Sequence, residues 1–283
     1  MAGDSRPIGV FDSGMGGLTV LRALAARLPQ ERFVYLGDTA RLPYGTKSAE
    51  TVQAYALQAT RLLLGEGVKM VVIACNTASA VALYVLQESW DPVPVIGVIE
   101  PGARAGVAAT RNKRIAVLAT EGTVKGGAYA RAIKELMADA QVIQQPCQVF
   151  VALAEEGWAD TPATLATAAH YLEPLFEGAD APDTLVLGCT HFPFVLPLIR
   201  EIAGPDVNVI DPAPAIARRT AYLLEQAAIT FAGDGEASTV YATTGSAEKF
   251  KTAIHNLLNI ETEPVQLAWN ETSDQLTEMR SQA

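Results

Sequence analysis

The 283-residue chain sets 21 lysines and arginines against 31 aspartates and glutamates, a net charge of −10, with 49% hydrophobic and 18% charged residues. That balance excludes a disordered chain, which would be poor in apolar residues, and argues against a nucleic-acid binder, which needs clustered Lys and Arg to release counterions. With three cysteines, no apolar signal region in the first seven residues and no apolar run of the ~18–20 residues that span a bilayer, the expectation is a reduced, cytoplasmic protein with no membrane partner.

From the N-terminus, short β-branched runs alternate with longer helical patterns. Residues 8–11, 33–36, 70–74 and 93–98 read as buried strands. Between them Leu18, Leu21, Leu24, Ala25 and Leu28 recur at helical spacing. Val52, Tyr55, Ala56, Ala59, Leu62 and Leu63 do the same behind an N-cap at Ser48, with Glu50 in the first turn. Residues 78–88 give a third helix. This βαβ order predicts an α/β fold with mainly parallel sheets covered by helices on both faces.

The pattern then restarts. Lys113–Leu118 resembles Arg6–Phe11, Thr184–His191 resembles Met70–Thr77, and Val209–Pro214 resembles Val98–Ala103, each roughly 110 positions later. Three echoes in one order predict two similar open-sheet domains related by pseudo-twofold symmetry, with the active site in the cleft between them. The two Ile-acid-Pro segments (Ile99-Glu100-Pro101 and Ile210-Asp211-Pro212) read as stiff exits from strands, where the chain crosses between domains. A helix over 213–231, a strand over 238–243, a helix over 247–258 and an edge strand over 265–269 then return to the first domain. The expected division is 1–99 plus 212–268 for the first domain, 100–211 for the second, and a frayed polar tail over 269–283.

Ligands of open α/β sheets bind beyond the carboxyl ends of the strands. Cys75-Asn76-Thr77 and Cys189-Thr190-His191 both stand there, at equivalent ends of the repeat. Cys147 lacks such a setting. A redox pair requires Cα atoms within ~7 Å, which a cleft between repeats disfavours. Zinc held by Cys75, Cys189 and His191 has an unusual ligand spacing. The third reading is acid–base catalysis on both faces of one carbon, which inverts a stereocentre. A free thiol of pKa ~8.5 is only a few per cent thiolate at neutral pH, so neighbours must adjust it. Asp12 and His191 are placed to do so, whereas His170 and His255 fall inside helical patterns.

Asp12-Ser13-Gly14-Met15-Gly16-Gly17 follows the first strand, and its glycines let backbone N–H groups approach an anion. It matches neither the dinucleotide fingerprint nor a P-loop. A phosphate- or nucleotide-binding module and a thiol redox sensor remain as other function classes. After the second strand, Tyr44 O–H and Gly45 N–H are candidate donors to a carboxylate.

As a set, the segments Gly9–Gly17, Leu36–Gly45, Ala74–Ser79 and Leu187–Pro193 resemble the glutamate racemases of the Asp/Glu racemase superfamily, in order and spacing. The resemblance implies a cofactor-independent isomerase that interconverts L- and D-glutamate and supplies D-glutamate for peptidoglycan. An aspartate or other amino-acid racemase of the same superfamily is the alternative. By analogy Cys75 takes the α-proton from D-glutamate and Cys189 from L-glutamate, with Asp12 assisting Cys75 and His191 assisting Cys189. A further carboxylate falls on Glu155, with Glu156 competing. The substrate contacts implied are Asp12, Ser13, Tyr44, Gly45, Asn76, Thr77, Thr120, Thr190 and His191. No metal or cofactor is implied. The partner is the small-molecule substrate, and a homodimer is the candidate assembly.

Overall fold

In the computed structural model, which describes residues 3–231, 237–270 and 275–278, the chain begins β1 (Ile8–Asp12), α1 (Leu18–Arg27), β2 (Phe33–Gly37), α2 (Ala49–Gly65), β3 (Met70–Ile73), α3 (Asn76–Trp90), β4 (Val95–Gly97). It continues α4 (Ile99–Ala109), β5 (Arg114–Ala119), α5 (Glu121–Gly126), α6 (Ala128–Leu136), β6 (Gln141–Pro146), α7 (Val149–Glu155) and α8 (Pro162–Leu172). Then come β7 (Thr184–Gly188), α9 (Leu196–Ala203), β8 (Asn208–Ile210), α10 (Ala213–Gln226), β9 (Thr239–Thr243), α11 (Ala247–Leu258), β10 (Val265–Asn270) and β11 (Gln275–Glu278).

These strands form two sheets. One has the order β11-β10-β9-β2-β1-β3-β4, the other β6-β5-β7-β8. Every pairing is parallel except β10 with β11. Within the larger sheet, β2-β1-β3-β4 repeats the order of the smaller one, so β1 matches β5 and β3 matches β7. The sequence echoes therefore fall on strands in equivalent positions of two parallel sheets.

Helices cover both faces of each sheet, which is why β1, β2, β3 and β7 are buried along their whole length rather than at alternate residues. Val10 and Val72 pack on one face of the large sheet with Leu21 and Ile216. Phe11 and Ile73, their chain neighbours, pack on the other with Ala56 and Leu63. A buried ion pair closes the end of this sheet away from the strand tips: Lys69 Nζ lies 2.6 Å from Glu31 and also donates to the Asp4 carbonyl at 2.8 Å. Ser48 caps α2 as expected, accepting the Thr51 N–H at 3.2 Å.

Two expectations are corrected. The first Ile-acid-Pro segment lies inside a helix rather than at a strand exit, whereas in the second Ile210 ends β8 as expected. Pro101 is the third residue of α4, and Pro212 sits immediately before α10. The first-turn N–H groups of a helix have no intrahelical acceptor, so proline is tolerated there. Asp211 accepts the Ala213 N–H at 2.9 Å and starts that helix. The polar tail over 269–283 also contains structure: β10 runs on to Asn270, and β11 pairs antiparallel with it as an edge strand. Polar composition hides an edge strand, because one side of it meets water. Positions 271–274 and 279–283 lie outside the described residues.

Candidate active site

The tips of parallel strands from both sheets meet around one pocket. Ser13 follows β1, Tyr44 and Gly45 follow β2, and Cys75, Asn76 and Thr77 follow β3. From the second sheet come Thr120 after β5 and Cys189, Thr190 and His191 after β7. A roomier cleft near Leu28, Glu31 and Tyr241 holds neither sulfur. Both cysteines are free thiols on one pocket, one from each sheet.

Their surroundings differ. Cys75 is the N-cap of α3. Its sulfur accepts the Ala78 N–H at 3.4 Å, and its thiol donates to Ser13 Oγ at 3.5 Å. Burial, reinforced by the nearby Asp12 charge, pushes this thiol up to about 12. Cys75 is thus a protonated acid at neutral pH. Cys189 lies 3.8 Å from His191 Nδ1, and His191 Nε2 lies 2.6 Å from Glu155 Oε1. Burial opposes charge on this imidazole, but hydrogen bonds and charge from Cys189 and Glu155 outweigh it and raise His191 to about 10. The second sulfur therefore faces an imidazolium. Of the two candidate carboxylates, Glu155 reaches His191, while Glu156 is exposed at the end of α7.

Asp12 sits beneath the pocket floor, fully buried. Its carboxylate accepts N–H groups from Gly14 and Gly17 and the Thr190 hydroxyl at 3.3 Å. Burial raises its pKa, opposed by the His191 charge and these hydrogen bonds. Its action on Cys75 is through space. The glycine loop after β1 has a role other than an anion cradle. A Cβ at Gly16 would lie 2.5 Å from Thr190 Oγ1 and 2.8 Å from His191 Nδ1, so a bare backbone is what lets the two sheets' tips close together.

The Tyr44 hydroxyl is already taken up by Asp38, to which it donates. Asp38 is fully buried and also receives Arg41 Nε at 2.6 Å, Thr244 Oγ1 at 2.7 Å and Trp269 Nε1 at 3.1 Å. Arg41 in turn lies over the rings of Tyr55 and Trp269. Tyr44 lines the pocket as a fixed wall rather than as a free hydroxyl donor. Thr77, Thr120 and Thr123 form a hydroxyl cluster at 2.9–3.3 Å, and Tyr129 holds Asn76 through a 2.8 Å bond to its side-chain oxygen.

A model of the Asp/Glu/hydantoin racemase family matches residues 14–220. The chain belongs to this family. It is 52% identical over 219 residues to a glutamate racemase of Syntrophus aciditrophicus, covering 77% of this chain and 80% of that one. Among solved structures, a glutamate racemase isoform from Bacillus anthracis matches at 35% identity with a TM-score of 0.87, covering 92% of this chain and 97% of that one. A glutamate racemase from Francisella tularensis, solved with D-glutamate, also matches at 35% identity, with a TM-score of 0.85 and coverage of 92% and 96%.

Four wall residues of this racemase-family pocket escaped the sequence reading: Leu42, Pro43, Gln148 and Val151. Gln148 had a findable signal, since it lies just past β6, one residue beyond Cys147, which is level with Thr120 and Cys189. That strand is half polar, and its Gln-rich sequence concealed it. Among the described residues no group of three His, Cys, Asp or Glu side chains is arranged to hold a metal, and no helix is long and apolar enough to cross a membrane.

Proposed function

We propose that this racemase-family protein interconverts L- and D-glutamate by moving protons between its two thiols and Cα, and that the D-glutamate made serves peptidoglycan synthesis. The observation that carries the reading is the pair of unlike sulfurs on one pocket: Cys75, held protonated, and Cys189, facing the His191 imidazolium. An inversion needs an acid on one face of the carbon and a base on the other, and this pair supplies both.

In the L-to-D direction the Cys189 thiolate takes the α-proton. The C–H electron pair passes onto Cα and its carboxylate, and the Cys75 thiol delivers its proton to the opposite face. The product is D-glutamate, with Cys189 now a thiol and Cys75 a thiolate. Proton exchange with solvent restores the starting form. The charged His191 balances the Cys189 thiolate, and Glu155 holds the imidazole in place. Ser13, Gly45, Asn76, Thr77, Thr120 and Thr190 surround the substrate and orient its polar groups around the developing negative charge at Cα, with Tyr44 as a wall and Asp12 acting from below the floor.

The test is incubation of the purified protein with L-glutamate in deuterated water, without added cofactor. The expected result is loss of circular dichroism with deuterium at Cα of both enantiomers. Retained optical activity overturns the reading.

A further inference from the structure

Gln148 stands at the head of α7 and lines the pocket. Its side chain makes no capping bond to the helix it begins. Its Oε1 is buried without a hydrogen-bond partner. Buried polar groups are normally paired, and one left open toward a pocket marks where a ligand's polar group belongs. The other buried side-chain atoms without a hydrogen-bond partner among the described residues belong to Glu31, whose oxygen is ion-paired with Lys69, and to Arg32, Arg41 and Gln144, and none of these lines this pocket.

The neighbours of Gln148 indicate which ligand group. A Cβ on Gly45 would lie 2.5 Å from Gln148 Oε1 and 2.6 Å from Thr120 Cβ, so three strand-end loops converge there. Gly45 brings backbone unshielded by a side chain, Thr120 a hydroxyl, and Gln148 a carboxamide. A half-turn about the last side-chain bond of Gln148 exchanges its oxygen and nitrogen with little change of shape. With nitrogen inward, this corner offers N–H and O–H donors together, which suits a carboxylate. The sulfurs are tied to other loops, Cys75 to Ser13 and Cys189 to His191. Cα must lie between the sulfurs, which leaves this corner for the far end of the substrate.

We propose that Gln148 is a specificity-determining residue whose amide donates a hydrogen bond to the side-chain carboxylate of the amino acid, beside Gly45 and Thr120. The proposal rests on the glutamate racemisation reading and refines it. Aspartate, one methylene shorter, falls short of this corner when its Cα is held between the sulfurs. Glutamine reaches the corner but brings no charge.

The experiment measures racemisation of L-glutamate, L-aspartate and L-glutamine by the wild type and by Gln148→Leu, Gln148→Met and Gln148→Glu, with melting temperatures to show that each folds. Leu and Met keep the volume and remove the donor; Glu also opposes a carboxylate. Loss of a hydrogen bond to a charged group predicts a KM for L-glutamate raised on the order of ten- to a hundredfold in the Leu and Met variants, with kcat nearly kept. The preference for glutamate over aspartate should shrink by the same factor. Gln148→Glu should raise the glutamate KM further and shift the preference toward L-glutamine. A glutamate KM within twofold of wild type in the Leu and Met variants overturns the proposal. So does tighter glutamate binding by Gln148→Glu, which would put the side chain on the ammonium group. A wild type inert toward glutamate overturns the functional reading itself, and the proposal with it.

Discussion

Glu155 Oε1 lies 2.6 Å from His191 Nε2, and the other ring nitrogen of His191 faces the Cys189 sulfur at 3.8 Å. Carboxylate, imidazole and thiol form a connected relay, and this is what separates the second sulfur from the first. Replacing Glu155 by Gln keeps the shape and removes the charge. The His191 pKa should then fall from about 10 toward its ordinary 6.5, followed by NMR of 15N-labelled imidazole. Racemisation should slow on the order of tenfold or more. The loss in kcat/KM should be equal in both directions, because the equilibrium constant between enantiomers is one. An unchanged His191 titration would separate Glu155 from this chemistry.

Cys75 should react slowly as a nucleophile at mildly alkaline pH. With a pKa of about 12, Cys75 has on the order of one ten-thousandth of its population as thiolate at pH 8. Brief alkylation at that pH, read by peptide mass spectrometry, should leave Cys75 largely unlabelled. Rapid labelling of Cys75 would contradict the assignment. His191 binds its proton more tightly in the folded state than in the unfolded one. Its contribution to stability is whole below about pH 6.5 and is lost as the pH rises through about 10. The melting temperature of wild type should therefore fall more steeply between pH 7 and 10 than that of His191→Asn.

Away from the pocket, the Lys69–Glu31 pair gives a stability prediction. Lys69 is fully buried, and Glu31 also accepts the Phe231 N–H at 2.8 Å. Lys69→Met leaves a buried carboxylate without its partner, which costs about 3–5 kcal/mol. Adding Glu31→Leu should recover much of that loss. Both follow from urea denaturation midpoints. No loss in Lys69→Met would show the ion pair to be idle.

Much of this architecture was legible in the sequence. Buried parallel strands are continuous apolar runs, so β1, β3, β5 and β7 stood out, and their tips located Cys75, Cys189, Asp12 and Thr120. Short-range chemistry was also legible, as at Ser48. Features set by long-range contacts were hidden. Tyr44 gives its hydroxyl to Asp38, whose other partners include Thr244 and Trp269, more than 200 residues away in the chain. Gln148 was missed with β6, because a strand carrying Gln141, Gln144 and Gln145 lacks the apolar run of a central strand. The glycine loop looked like an anion site because close approach of Thr190 and His191 makes the same demand for small residues as close approach of a ligand does.

Single-thiol variants test the two-sided proton transfer most directly. In deuterated water, Cys189→Ala keeps only Cys75 and should exchange the α-hydrogen of D-glutamate, leaving L-glutamate untouched and racemising neither. Cys75→Ala should do the reverse, exchanging L-glutamate alone. Racemisation by either variant at the wild-type rate, or exchange of both enantiomers by one of them, would contradict a mechanism in which each sulfur serves one face of the carbon.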